Sequence, residues 1–173
     1  MLSAELRSQW VTELNLPLEP EFVTPGSHRM VWWRCSKGHL WKASVKSRSC
    51  GCSCPVCANR AVLPGQNDLA STHPEIAAQW DIEHNGELTP QDVVAGSHKR
   101  VWWRCEHGHE WLAAIYSRTT SGTGCPVCTG KRVLPGVNDL LSQFPELSLE
   151  WDYELNGELT PQKVSTASNR RVW

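Results

Sequence analysis

Two short runs of aromatic and β-branched residues recur along the chain, Val31-Trp-Trp-Arg34 and, 70 residues later, Val101-Trp-Trp-Arg104. Such runs read as strands, and the first is followed, beyond the segment Cys35 to His39, by a second run from Leu40 to Val45. The pattern predicts a β-hairpin with its tip at Cys35 to His39 and a counterpart with its tip at Cys105 to His109. On a strand, Trp33 and Trp103 face one side while Trp32 and Trp102 face the other. A different period marks the segments that precede the hairpins. Pro74, Ile76 and Trp80, and likewise Pro145, Leu147 and Trp151, place a proline in a first helical turn and two apolar residues four apart on one face, predicting a short helix.

These elements belong to a repeat. The second copy reads Leu63-Pro-Gly-x-Asn-Asp-Leu69, Pro74-Glu-Ile, Trp80-Asp81, Asn85-Gly-Glu-Leu-Thr-Pro90, Val93, Gly96-Ser-His98 and Val101 to Cys105. The first copy enters late, aligning Trp10, Asn15 and Val23 with Trp80, Asn85 and Val93. A third copy begins at Leu134-Pro-Gly, keeps Trp151-Asp152 and Asn156-Gly157, and reaches Trp173, the equivalent of Trp102. The expected organisation is repeat 1 at residues 1–63, repeat 2 at 64–134 and a partial third repeat at 135–173, the chain being read as a piece of a longer array or as ending in a degenerate copy.

The cysteines explain how units of about 70 residues hold together, since a single core is marginal at that size without a staple. Cys35-x3-His39 with Cys54-x2-Cys57, and Cys105-x3-His109 with Cys125-x2-Cys128, each supply two tight turns that can point four donors into one tetrahedron. Buried thiols or disulfides are the plain alternative, but the histidine recurs in the same place in both sets. Two Zn2+ per chain are therefore expected. Cys50 and Cys52 have no counterparts and are read as spare thiols. His107 is too close to Cys105 to chelate beside it, and it, His28 and His98 are read as non-ligands.

Charge is segregated although the net formal charge is only −1. Thr24 to Leu63 holds seven Lys/Arg and no Asp or Glu, whereas Pro64 to Val93 holds six Asp/Glu and no Lys or Arg. Val94 to Leu134 and Pro135 to Val164 repeat the alternation in weaker form. Basic zinc modules thus alternate with acidic spacers. No apolar run of signal-peptide or membrane-span length occurs at the N-terminus, and thiolate ligands fit a reducing compartment, so a cytoplasmic protein is expected.

The sequence resembles a tandem "probable zinc-ribbon", treble-clef-like repeat family of bacteria and large viruses. The resemblance runs through Trp80-Asp81, Asn85, Gly96-Ser97, Val101 to Cys105, Gly108-His109-Glu-Trp111, Arg118 and Gly124-Cys-Pro-Val-Cys128, and it covers nearly the whole chain. The first copy departs from it at Ser53, where glycine is expected. The resemblance implies small zinc-stabilised α+β repeats, each a β-hairpin plus two knuckles, joined by short helical spacers. It implies suspected nucleic-acid binding, sometimes with a fused or associated nuclease-like domain, and brings no catalytic residue.

Two functions from different classes follow. In the first, the basic modules bind nucleic acid, with DNA the expected polymer, through Arg29, Arg34, Lys37, Lys42, Lys46, Arg48, Lys99, Arg100, Arg104, Arg118, Lys131 and Arg132. In the second, the modules form a zinc-stabilised protein-protein interaction scaffold. An enzyme is not expected, because four protein ligands close the zinc sphere and the chain has no phosphate loop, metalloprotease helix or nucleophile and base pair. No membrane and no small-molecule substrate are expected partners. Most tryptophans serve as core, with Trp32 and Trp102 set apart as the pair for an exposed role.

Overall fold

The computed structural model describes all residues, Met1–Trp173, as two compact units, Met1–Asn67 and Asp68–Trp173. In the first unit the order is α1 (Ala4–Ser8), α2 (Thr12–Asn15), β1 (Met30–Arg34), β2 (Leu40–Ser44) and α3 (Val45–Ser49). β1 and β2 form the expected antiparallel hairpin, with Trp32 opposite Lys42 and Trp33 opposite Trp41. The chain does not continue as a strand through Val45. Ser44 is still extended, and its hydroxyl accepts from Ser47 N–H, capping α3 and relieving one orphan donor of its first turn.

The second unit repeats the plan and extends it. It runs α4 (Leu69–Thr72), α5 (Pro74–Ala77), α6 (Ile82–Asn85), β3 (Arg100–Arg104), β4 (Glu110–Ala114) and α7 (Ile115–Thr119). The third spacer follows as α8 (Leu140–Gln143), α9 (Pro145–Ser148) and α10 (Tyr153–Asn156). Residues 135–173 thus lie in the same unit as the second hairpin. No helix of the chain is long and apolar enough to cross a membrane.

The spacer helix is shorter than its periodicity predicts. α5 ends at Ala77, and the next residues turn so that Trp80 pairs with Trp103 as an isolated antiparallel bridge. Gln79 O accepts from Arg104 N–H at 2.8 Å and Asp81 N–H donates to Trp102 O at 3.1 Å, so residues 79–81 add a third edge to the two-stranded sheet. Trp10 does the same for β1. The indole pairs Trp10–Trp33 and Trp80–Trp103 meet edge to face with centroids 5.5 Å apart. In the first unit Trp33, Trp41, Val31, Val45 and Leu2 complete the core, and in the second Trp103, Trp111, Val101, Ile115 and Leu69 do. Trp33 and Trp103 are fully buried, as strand alternation predicts.

Candidate metal centres

Each hairpin tip supplies a cysteine and a histidine. Cys35 N–H donates to His39 O at 3.1 Å and Gly38 N–H to Cys35 O at 2.9 Å, closing the turn, and the same pair of bonds recurs at Cys105 to His109. Gly38 sits at φ +83° and Gly108 at +77°, the left-handed region that a residue without Cβ enters freely. The other two ligands come from the Cys-Pro-Val-Cys turns. Ala58 N–H bonds to Cys54 O at 3.0 Å, yet the turn does not become a helix through Arg60, because Asn59 (φ +52°) and, in the second copy, Gly130 (φ +68°) leave helical geometry.

The four donors converge in both modules. Cys35 Sγ lies 3.8 Å from Cys57 Sγ, and His39 Nδ1 lies 3.5, 3.7 and 3.3 Å from the sulfurs of Cys35, Cys54 and Cys57. The second module repeats these separations with Cys105, His109, Cys125 and Cys128. Zinc bonds of about 2.3 Å to sulfur and about 2.0 Å to nitrogen, set in a tetrahedron, need edges of roughly 3.8 Å and 3.5 Å. The donor sets therefore fit Zn2+, and the chain holds two such sites.

Without a cation the thiols oppose one another. Burial tends to raise the Cys35 pKa, but backbone N–H groups of Lys37 and His39 and the neighbouring thiols bring it down to about 7. Cys57 is pushed up to about 11 and Cys128 to about 12, by burial first and then by hydrogen bonds and charge from the other two cysteines of each set. A divalent cation at the centre would offset the repulsion among the thiolates and favour ionising the whole set, so metal binding and folding are expected to be coupled.

The surroundings of the two sites differ. His39 Nε2 meets Gln66 Oε1 at 3.0 Å, which fixes the ring with Nδ1 toward the thiols. The corresponding residue in the next repeat is Val137, which has no acceptor. His107 approaches one sulfur, its Nδ1 standing 3.6 Å from Cys128, but it lies outside the four-donor group. Cys50 and Cys52 are exposed and also stand outside the donor set.

Two of the arginines assigned to phosphate contact are interior residues. Arg48 and Arg118 are only 8% and 6% exposed. The Arg48 guanidinium lies 5.5 and 5.4 Å from the rings of Trp33 and Trp41, and it donates to Gln9 Oε1 at 2.6 Å and to Cys52 O. Arg118 sits 5.2 Å from both Trp103 and Trp111 and donates to Gln79 and Thr123. Each fastens the spacer to the segment before the second knuckle, so neither guanidinium is free for a phosphate. Burial lowers the Arg118 pKa from its usual value, and charge on Cys125 acts in the opposite sense.

The remaining cations divide by their partners. Arg104 is held by Asp81 at 3.3 Å, Glu83 at 2.7 Å and Glu110 at 3.0 Å, and Arg34 by Glu13 at 2.9 Å. Arg29, Lys37, Lys42, Lys46, Lys99, Arg100, Lys131 and Arg132 are exposed. Asp81, His84 and Glu110 also stand close enough to share an ion, but Arg104 already supplies the positive charge there.

A hairpin whose tip supplies a Cys-x3-His pair, closed by a Cys-x2-Cys knuckle around one point, defines a structural zinc finger of the treble-clef type. The chain belongs to the family described as "probable treble clef zinc finger domain", which matches it twice in tandem, over residues 6–60 and 76–131. A search of curated proteins finds no significant match.

Proposed function

We propose that this chain is a non-catalytic, zinc-dependent nucleic-acid-binding protein that engages DNA through the basic surfaces of its modules. The observation that supports this reading is the free charge left on the first module. Within Thr24 to Leu63 there is no acidic residue, and after Arg48 is taken inside and Arg34 is paired with Glu13, the exposed cations Arg29, Lys37, Lys42, Lys46 and Arg60 remain. Cations gathered without carboxylates displace the counterions of a polyphosphate and give affinity independent of sequence. The zinc ions serve as staples, since four protein donors fill each sphere and leave no position for a reacting water. Any catalysis would belong to a fused or associated domain, with these modules as its targeting part.

The test is a salt-titrated binding assay. Reversal of Arg29, Lys42 and Lys46 to glutamate should weaken binding to labelled duplex DNA and flatten the plot of log affinity against log salt by about 0.9 for each phosphate no longer neutralised. Glu87→Gln, on the acidic spacer, should leave the slope unchanged. Absence of binding to any nucleic acid at low salt would overturn the reading in favour of a protein-interaction scaffold.

A further inference from the structure

In all three repeats one tryptophan has its backbone held in the same way. Asn15 Oδ1 accepts from Trp32 N–H at 2.7 Å while its Nδ2 donates to Trp32 O at 2.9 Å. Asn85 grips Trp102 at 2.9 and 2.8 Å, and Asn156 grips Trp173 at 3.0 and 2.6 Å. A side-chain amide that satisfies both peptide groups takes the place of a neighbouring strand. These tryptophans are not core residues: Trp32 and Trp102 are half-buried on the face opposite the fully buried Trp33 and Trp103. Each is a large indole facing outward on backbone that is already fixed, so little ordering would be needed for it to receive a ligand.

The two hairpins treat this indole differently. Trp102 is covered by the His84 imidazole, ring centroids 5.1 Å apart and planes tilted by 34°, and His84 is anchored to Asp81 at 3.0 Å. At the positions of His84 and Asp81 the first module has Leu14 and Val11, so no aromatic ring is tethered over Trp32. The cross-strand neighbour of Trp32 is Lys42. Arg29 and Lys46 lie at the open end of the same hairpin, where Val45 N–H bonds to Arg29 O at 3.1 Å. Of the carboxylates on the preceding spacer, Glu13 is occupied by Arg34.

An outward aromatic face bordered by free cations complements an unpaired base with its flanking phosphates. A duplex keeps its base faces inside the stack, so it could offer this surface only phosphates. We infer that Trp32 is a stacking platform for an unpaired base of single-stranded nucleic acid, with Lys42 as the adjacent phosphate contact, and that Trp102 is closed to this role by its own histidine. The inference rests on the nucleic-acid reading above and narrows it.

Fluorescence anisotropy of the zinc-loaded chain with labelled oligo(dT) and with a mixed-sequence duplex tests it. Trp32→Ala should weaken oligo(dT) binding about 5- to 150-fold while duplex binding holds, Trp32→Tyr should restore most of the affinity, and Trp102→Ala should change little. Lys42→Ala should flatten the salt slope on oligo(dT) by about 0.7. Equal weakening on both polymers, or none, in a Trp32→Ala protein that keeps both zinc ions would overturn the platform alone. If that variant loses zinc, Trp32→Tyr and Lys42→Ala decide: a normal oligo(dT) salt slope in Lys42→Ala, or failure of zinc-loaded Trp32→Tyr to bind oligo(dT), overturns it. Wild-type protein that binds neither polymer overturns the nucleic-acid reading as well.

Discussion

A guanidinium buried without a carboxylate is costly unless another group carries the compensating charge. Around Arg118 that group is the zinc cluster: three thiolates and a neutral histidine around Zn2+ carry a formal −1, and Cys125 is the charge that acts on Arg118 against its burial. The Trp103 and Trp111 indoles, each 5.2 Å from the guanidinium, add cation–π attraction. Arg118→Met should therefore destabilise the second unit by roughly 2–4 kcal/mol, because it removes two hydrogen bonds and two cation–π pairs. Arg118→Lys should recover only part, because an ammonium cannot fork between Gln79 and Thr123. Denaturant titration of the zinc-loaded variants, followed by NMR signals of each unit, measures both. The ligands of this site were legible because their spacing admits few other purposes. The role of the arginines was not, since charge in a sequence says nothing of burial. A signal did exist, in that Gln9 precedes Arg48 and Gln79 precedes Arg118 by the same 39 residues.

At the scale of elements, the hairpins were legible from side-chain alternation and the spacer helices only from their start. Pro74 and Ile76 do begin a helix, but the backbone of residues 79–81 is claimed by β3, a non-local pairing that a local period cannot announce. The same holds for the joint between the second knuckle and the third spacer. There Asn138 donates to Val127 O at 2.7 Å, Ser165 donates to Gly130 O at 2.7 Å, and Asp139 caps α8 through Ser142 N–H at 3.0 Å. The Leu-Pro-Gly-x-Asn-Asp motif thus ties a spacer back to the preceding knuckle with its Asn and starts the next helix with its Asp. A Cβ at Gly130 would stand 2.5 Å from that of Ala167, on backbone at φ +68°. Gly130→Ala should cost about 1–3 kcal/mol in a denaturation assay. Adding Ala167→Gly should remove the clash and leave about 1 kcal/mol for the left-handed backbone. Additive effects of the two changes would show that the joint is not packed in this way.

On the scale of the whole molecule, charge and metal divide the chain along the same lines. The basic stretches carry the ligands and the acidic stretches carry the spacers, so each unit has its own ligand set and its own tryptophan core. That segregation was visible in the sequence while the net charge of −1 concealed it. A small core completed by a metal folds with its metal. Purified protein should therefore contain two zinc ions per chain, and a strong chelator should unfold both units. Cys57→Ser removes one donor from the first set and leaves Cys105, His109, Cys125 and Cys128 intact. The first unit should lose its zinc and its dispersed NMR signals, while the second, Asp68–Trp173, keeps both, because no ligand and no core residue of its cluster comes from Met1–Asn67. Metal analysis of this variant should give one zinc per chain. Loss of dispersion from both units would mean that they fold as one cooperative domain, and two zinc ions per chain would mean that Cys50 or Cys52 had moved in to replace the missing thiolate.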